Sequence, residues 1–97
     1  MKIVLLDGEK ITNSADMHRA FKEALGFPEW YGNNLDALND MLTESTEDIG
    51  VILVNTDKLS DALGWRWEMV LRLLVDLKRE KPNFSVSFEP LKPGLED

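Results

Sequence analysis

The sequence predicts an α/β domain in which a small three-stranded parallel sheet is flanked by about four helices. Two observations predict this fold class. Three short apolar segments have the composition of strands, and helical segments lie between each strand and the next. Connections that contain helices are long enough to carry the chain back across a sheet, and such crossovers join parallel strands.

Turn and cap residues mark the first strand and the first helix. The segment Lys2–Leu6 predicts a buried strand that ends at the turn pair Asp7-Gly8. Ser14 is the expected N-cap of a helix that runs to about Leu25 and stops at Gly26. The apolar residues that share one face of this helix are Met17, Ala20, Phe21, Ala24 and Leu25.

The middle of the chain predicts a second helix and a second strand. Pro28 restricts the entry to a helix of about Asn34–Leu42. A polar loop, residues 44–50, follows it. Val51–Val54 is a continuous apolar run rich in β-branched residues, which is typical of a strand covered on both faces.

The last third of the chain completes the pattern with two helices and a strand. A short helix is expected around Leu59–Leu63, and a longer one over about Trp65–Glu80. The core residues expected in the longer helix are Met69, Val70, Leu73, Leu74 and Leu77. Beyond Pro82, a strand with one buried face is predicted from the alternating residues Phe84, Val86 and Phe88. We expect a single domain over residues 1–89 and a frayed tail over 90–97.

Composition excludes several classes of protein. The 97 residues contain no cysteine and one histidine, so a disulfide framework is excluded and most zinc sites are too. No apolar stretch is long enough for a signal peptide or a membrane span, so we expect a cytoplasmic protein without membrane contact. The net charge of −7 argues against direct binding of nucleic acid.

The distribution of charge is more specific than its total. Between Lys22 and Lys58 the chain has no lysine or arginine. The acids of this window are Glu23, Glu29, Asp36, Asp40, Glu44, Glu47, Asp48 and Asp57. A one-sided field of this kind steers a cationic partner toward it, although a merely solvated acidic face has the same pattern.

The second helix separates an apolar side from an acidic side. On a helical wheel Leu35, Leu38 and Leu42 fall together, and the acids Asp36, Asp40 and Glu44 fall on the opposite side at i, i+4 spacing. Like charges at this spacing destabilise a helix by a few tenths of a kcal/mol per pair, so the row gives the helix no stability. At the helix entrance stand Trp30 and Tyr31, of which we expect one to be a core residue and the other an interface anchor.

Metal binding and catalysis are two other roles open for Asp36 and Asp40 at this stage. Asp36 and Asp40, one helical turn apart, could share a magnesium ion and act in an enzyme. The sequence offers no third carboxylate in a confirming motif and no phosphate-binding glycine loop, so we expect neither a metal site nor an enzyme. His18 is interpreted as a surface residue of the first helix.

One segment carries a family resemblance. Residues 27–43 read F-P-E-W-Y-G-N-N-L-D-A-L-N-D-M-L-T. This run resembles the signature of the barstar family, in which a proline, an acid, an aromatic residue, tyrosine and glycine precede a helix with two aspartates. Weaker similarity extends over nearly the whole chain. The resemblance implies the barstar fold and the inhibition of a basic microbial ribonuclease inside the cell.

The resemblance also implies roles for individual residues. In that family the signature helix and the loop before it block the nuclease active site, where aspartates take the place of substrate phosphate. Asp40 would be the main phosphate mimic, Asp36 its partner, and Trp30 the aromatic residue that packs on the nuclease. The other implied contact residues are Asn34, Leu35, Thr43 and Asp76. From the residues alone, Asp76 could equally form a surface ion pair with Arg72 or Arg79.

Several positions depart from the family pattern. Asn39 and Ser45 stand where the pattern has tryptophan, Glu44 replaces a glycine, and Met41 replaces a cysteine. The target could therefore be a relative of barnase, another microbial ribonuclease, or a toxin domain for which this chain is the immunity protein. A module that binds some other basic protein is the second hypothesis. We expect a monomer when free, and no cofactor.

Overall fold

The structure is a computed structural model that describes residues 1–89; the predicted frayed tail, residues 90–97, lies outside the described residues. Its elements in chain order are β1 (Lys2–Asp7), α1 (Ser14–Leu25), α2 (Leu35–Glu44), β2 (Ile49–Val54), α3 (Thr56–Leu63), α4 (Trp65–Glu80) and β3 (Phe84–Phe88). This order confirms the predicted fold class, with four helices and a three-stranded sheet.

The sheet is parallel, with β2 between β1 and β3. Its buried face is formed by Val4, Leu6, Ile49, Val51, Leu53 and Phe84. The opposite face exposes about half of Ile3 and Leu5 on β1 and also exposes Ser85 and Ser87 on β3. The prediction that β1 is a buried strand is therefore wrong for this face. In β2, predicted to be covered on both faces, no residue of Ile49–Val54 is exposed, and Ile52 and Val54 are partly buried.

The helices supply the other half of the core. Met17 and Phe21 of α1 and Leu38 and Leu42 of α2 are fully buried. The buried residues of α4 are Trp67, Val70, Leu74 and Leu77. The predicted core position of Met69 is wrong, since the buried row of α4 begins at Trp67 and leaves Met69 exposed beside it. Phe88, at the end of β3, is exposed as well.

The ends of α1 follow standard capping rules. The N-cap is Asn13 rather than the predicted Ser14, because the Oδ1 of Asn13 accepts a hydrogen bond from the backbone N–H of Asp16 at 2.8 Å. Gly26 ends the helix as predicted. Its φ of 70° lies in the left-handed region, and its N–H donates to the carbonyl of Lys22. This turn directs the chain into the loop that precedes α2.

None of the helices in residues 1–89 has both the length and the apolar character needed to cross a membrane.

Candidate functional site

Helix α2 has a buried side and an acidic side. Leu38 and Leu42 face the core, whereas Asp36, Asp40 and Glu44 are exposed on the opposite side. Among residues 1–89, none of the salt bridges involves any of these three acids. A cationic partner could therefore contact them without first breaking an internal ion pair.

The side chain of Asn34 fixes the start of α2. Its Oδ1 accepts a hydrogen bond from the backbone N–H of Ala37 at 2.8 Å, and its Nδ2 donates to the carbonyl of Gly32 at 3.3 Å. Asn33, one residue earlier, has a φ of 53°, which asparagine tolerates better than most residues. The structure thus gives Asn34, which we predicted as a contact residue, the local role of N-cap.

The two aromatic residues of the loop have opposite environments. Trp30 is 78% exposed, and Tyr31 is 5% exposed, which confirms that one of the pair is a core residue. The ring of Tyr31 lies 4.8 Å from the ring of Phe27, and its backbone N–H donates to the carbonyl of Pro28 at 3.0 Å. Trp30 is therefore held outward by a loop whose next residue is packed in the core.

His18 is a buried residue, so its predicted surface position is wrong. It is 2% exposed, and its Nδ1 lies 2.7 Å from the hydroxyl oxygen of Tyr31. Local periodicity could have indicated this burial, because Phe21 and Leu25, three and seven residues after His18, are buried on the same side of α1. Only the partner, Tyr31, could not have been identified in this way. Burial lowers the pKa of His18 from its ordinary value of 6.5, and burial raises the pKa of Tyr31 to about 12. Both side chains are therefore neutral at pH 7.

Trp30 and Asp40 border one recess. It has a volume of about 240 Å³ and lies between the loop and the outer side of α2, where Tyr31, Ala37, Met41 and Glu44 complete its lining. An exposed indole beside an exposed carboxylate is an arrangement suited to contact with a cationic protein surface. The structure thus brings together the two residues that the family resemblance places at the centre of the interface.

A second recess lies on the other side of the N-terminus of α2. This groove, of about 530 Å³, is bordered by Asn34, Leu35 and Asp36, and across it stand Trp65 and Met69 of α4. Trp65 is 65% exposed, with the guanidinium carbon of Arg66 4.8 Å from its ring centre. Our sequence reasoning did not assign Trp65 to the site. Trp65 lies off the row of buried residues in α4, which are Trp67, Val70, Leu74 and Leu77. This spacing was the signal that could have indicated an exposed position.

The last two predicted contact residues are Thr43 and Asp76. Thr43 is exposed near the end of α2, and its carbonyl accepts a hydrogen bond from Nζ of Lys81 at 3.0 Å. Asp76 lies on α4 outside both recesses, and its Oδ1 is 3.8 Å from Nη1 of Arg79. Of the two ion pairs considered for Asp76, the structure contains the one with Arg79.

Metal binding was the other role considered for Asp36 and Asp40. Within residues 1–89, the structure has no group of three or more histidine, cysteine, aspartate or glutamate side chains that could hold a metal ion.

Comparison with known proteins places these features in a family. A family model described as Barstar (barnase inhibitor) matches residues 1–89. The protein YrdF of Bacillus subtilis (strain 168), described as a candidate ribonuclease inhibitor, is 32% identical over 91 residues. This similarity covers 92% of the present chain and 100% of YrdF. The family match includes every helix and strand of the structure and both recesses beside α2.

Proposed function

Because the chain belongs to the barstar family, we propose that it inhibits a basic ribonuclease and that α2 and the preceding loop block the active site of that enzyme. The observation that carries this proposal is the row of exposed acids on α2, which form no salt bridge within residues 1–89, with Trp30 and Asp40 bordering the same recess. Inhibition of this kind is a binding activity and requires no chemistry by the chain itself.

In the proposed mechanism, Asp40 and Asp36 occupy the positions that substrate phosphate takes in the enzyme. A ribonuclease must present cationic side chains to phosphate, and each carboxylate can accept charge-assisted hydrogen bonds from them. Neither acid is within ion-pair distance of a basic side chain in residues 1–89, so both are free to accept these bonds. The net charge of −7 would also accelerate encounter with a basic enzyme.

The other contact residues divide between anchoring and supporting roles. Trp30 supplies a large exposed ring for packing on the enzyme, Leu35 lines the groove beside the start of α2, and Thr43 is exposed near its end. Asn34 holds the helix start through its cap, whatever contact it makes with a partner. We place Asp76 at the rim, because its exposed ion pair with Arg79 weakens its field toward a partner.

The test measures inhibition of RNA hydrolysis by barnase and by other basic microbial ribonucleases. We expect at least one to be inhibited at equimolar concentration, with an affinity that falls as salt is raised. Asp40→Ala and Asp36→Ala should each weaken binding by a factor on the order of 30 to 5,000, since loss of one partner of a buried charge pair costs about 2–5 kcal/mol.

Asp61→Ala is the matched control. Asp61 is an exposed acid of α3 without an ion pair among the described residues, so this variant removes the same charge away from α2. Equal losses in Asp61→Ala and Asp40→Ala would show that only net charge matters and would contradict the α2 surface. Failure of the folded protein to inhibit any ribonuclease would contradict the function itself.

A second candidate function follows from the departures at Asn39, Glu44 and Ser45. These residues change the chemistry of the α2 surface, and a different basic protein, such as a toxin domain, could be the target. In that case the chain would be a binding or immunity module on the same fold. Capture of such a protein by the wild type but not by Asp40→Ala, together with no ribonuclease inhibition, would favour this candidate.

We further propose that the inhibitor acts in the cytoplasm as a monomer, where an uninhibited ribonuclease would degrade cellular RNA. Light scattering on the free protein and fractionation of the producing cell test these two points. A stable dimer, or recovery outside the cell, would contradict them.

A further inference from the structure

The hydrogen bond between His18 and Tyr31 joins α1 to the loop before α2. Its Nδ1–oxygen distance is 2.7 Å, it is buried, and it connects residues thirteen positions apart. Among the described residues, His18 and Tyr31 are the only buried side chains that can titrate, so this contact is unlike the rest of the core. The loop it holds is the one that carries Trp30.

Tyr31 fixes the loop from inside. Its hydroxyl meets His18, its ring packs on Phe27, and its backbone N–H bonds to Pro28. Trp30 has little burial of its own, at 78% exposed. The direction in which the indole projects therefore depends on how firmly the next residue is held.

We propose that His18 is a positioning residue of the partner-binding surface: the neutral ring holds Tyr31, and with it the loop Pro28–Asn34, in the binding conformation, and protonation of the ring releases the loop. The consequence for inhibition rests on the proposed function. The placement of the loop itself does not.

A neutral imidazole suits this position chemically. The Tyr31 hydroxyl can donate to an unprotonated Nδ1, or Nδ1–H can donate to the hydroxyl oxygen. A neutral imidazole has one ring proton and can form the bond in either way. The Nε2 atom has no hydrogen-bond partner in residues 1–89. Every fully buried side-chain nitrogen in this range does have a partner, so Nε2 is not fully buried. Nε2 therefore keeps contact with solvent at the groove that His18 lines with Asp36, so a proton from water can reach it.

Protonation adds one proton and one positive charge to a ring that is almost fully buried. The other charged side chains that line the same groove are Asp36 of α2 and Arg66 of α4, which have opposite signs. On α1 itself, the neighbouring Arg19 is paired with Asp16 at 3.1 Å. No described residue is within ion-pair distance of the ring, so the imidazolium would have solvent contact at Nε2 but no ion-pair partner there.

The direction of the pH effect follows from burial, which lowers the pKa of His18 in the folded protein. Below the ordinary value of 6.5, the unfolded chain binds this proton more readily than the folded chain does. The contribution of neutral His18 to stability is therefore complete above that pH. As the pH falls toward the pKa of the folded state, this contribution decreases. The unfolding equilibrium constant then rises by at most about tenfold per pH unit.

The first test needs no partner. Backbone amide signals of residues 29–34 are followed by NMR from about pH 8 to about pH 5, together with the imidazole signals of His18. We expect the loop signals to shift with the midpoint of the His18 titration in the wild type. In His18→Gln, which retains a polar group but cannot titrate in this range, that shift should be absent.

The second test measures affinity for the ribonuclease inhibited by the wild type. Relative to His18→Gln, wild-type affinity should fall as the pH is lowered, by up to about tenfold per pH unit. The titrating groups of the enzyme act equally on both inhibitors and cancel in this ratio. Tyr31→Phe keeps the ring but loses the hydroxyl, and at about pH 8 it should bind about tenfold more weakly than the wild type. His18→Ala should lose more affinity than His18→Gln.

Three results would overturn the positioning role. They are loop signals that do not follow the His18 titration, identical pH profiles for the wild type and His18→Gln, and full affinity in a folded Tyr31→Phe variant. If no ribonuclease is inhibited, the proposed function fails, and the NMR titration still decides whether His18 positions the loop.

Discussion

Helices α2 and α4 bury similar leucines but differ on their outer sides. Leu38 and Leu42 of α2 and Leu74 and Leu77 of α4 all lie in the core. The outer side of α4 has an ion pair, Asp76–Arg79, and two basic residues in its last turn, where the helix dipole favours them. The outer side of α2 has three acids in a row and no basic residue in its last turn.

This difference indicates two separate demands on the sequence. A helix under demands of stability alone would be expected to have ion pairs at i, i+3 or i+4, as α4 has. The like charges on α2 destabilise it by only a few tenths of a kcal/mol per pair, which its buried leucines easily offset. The fold therefore does not require the row of acids on α2, and we attribute it to the proposed contact with a partner.

The prediction with the largest expected effect tests whether the buried sides of α2 and α4 are equally well packed. Leu42→Ala and Leu74→Ala each leave a cavity in the core, so each should lower the free energy of unfolding by about 2–5 kcal/mol. Denaturation with urea, followed by circular dichroism, measures both. A loss below about 1 kcal/mol in either variant would show that the helix concerned is less tightly packed than its burial indicates.

An intermediate effect concerns the start of each helix. The cap of α2 is the side chain of Asn34, whereas α4 begins after Gly64 without a side-chain cap. Asn34→Ala should lower the free energy of unfolding by about 1 kcal/mol, and Asn34→Asp, which can still accept from Ala37 N–H, should lower it by much less. Equal stability of the two variants in urea denaturation would contradict the capping role.

The smallest expected effect separates the two outer sides directly. Asp40→Ala removes repulsion from Asp36 and Glu44, whereas Asp76→Ala removes the ion pair with Arg79. Replacing aspartate with alanine raises the helix propensity equally in both variants, so this effect cancels in the comparison. Asp40→Ala should therefore be the more stable by roughly 0.5 kcal/mol. Thermal unfolding of the pair, at low and high salt, measures the difference, and the opposite order would contradict the comparison.

Features that depend on local spacing could be predicted from the sequence. The two sides of α2 follow from its own residues, because positions four apart share a face of any helix. The element order follows from turn and cap residues for the same reason, although the cap itself was misplaced by one residue, to Ser14 instead of Asn13. The family signature added roles for Asp36 and Asp40 that spacing alone could not provide.

Features that depend on distant partners could not be predicted. The hydrogen-bond partner of His18 is Tyr31, which approaches α1 only after the turn at Gly26. The sequence predicted that one of Trp30 and Tyr31 would be buried, but which one depends on the position of Phe27 and His18 in the fold. Likewise, the exposure of Ile3 depends on which face of the sheet the helices cover.

The order in which the strands pair has a consequence for synthesis on the ribosome. Lys2 pairs with Ile49, and Ile49 pairs with Phe84, so the sheet joins segments that are translated far apart in time. The end of α2 also depends on a late residue, because Nζ of Lys81 donates to the carbonyls of Thr43 and Ser45 at 3.0 Å. We therefore expect α2 to emerge early in translation but to acquire its support only when β3 has been made. The proposed inhibitor is thus expected to become active late in its own synthesis.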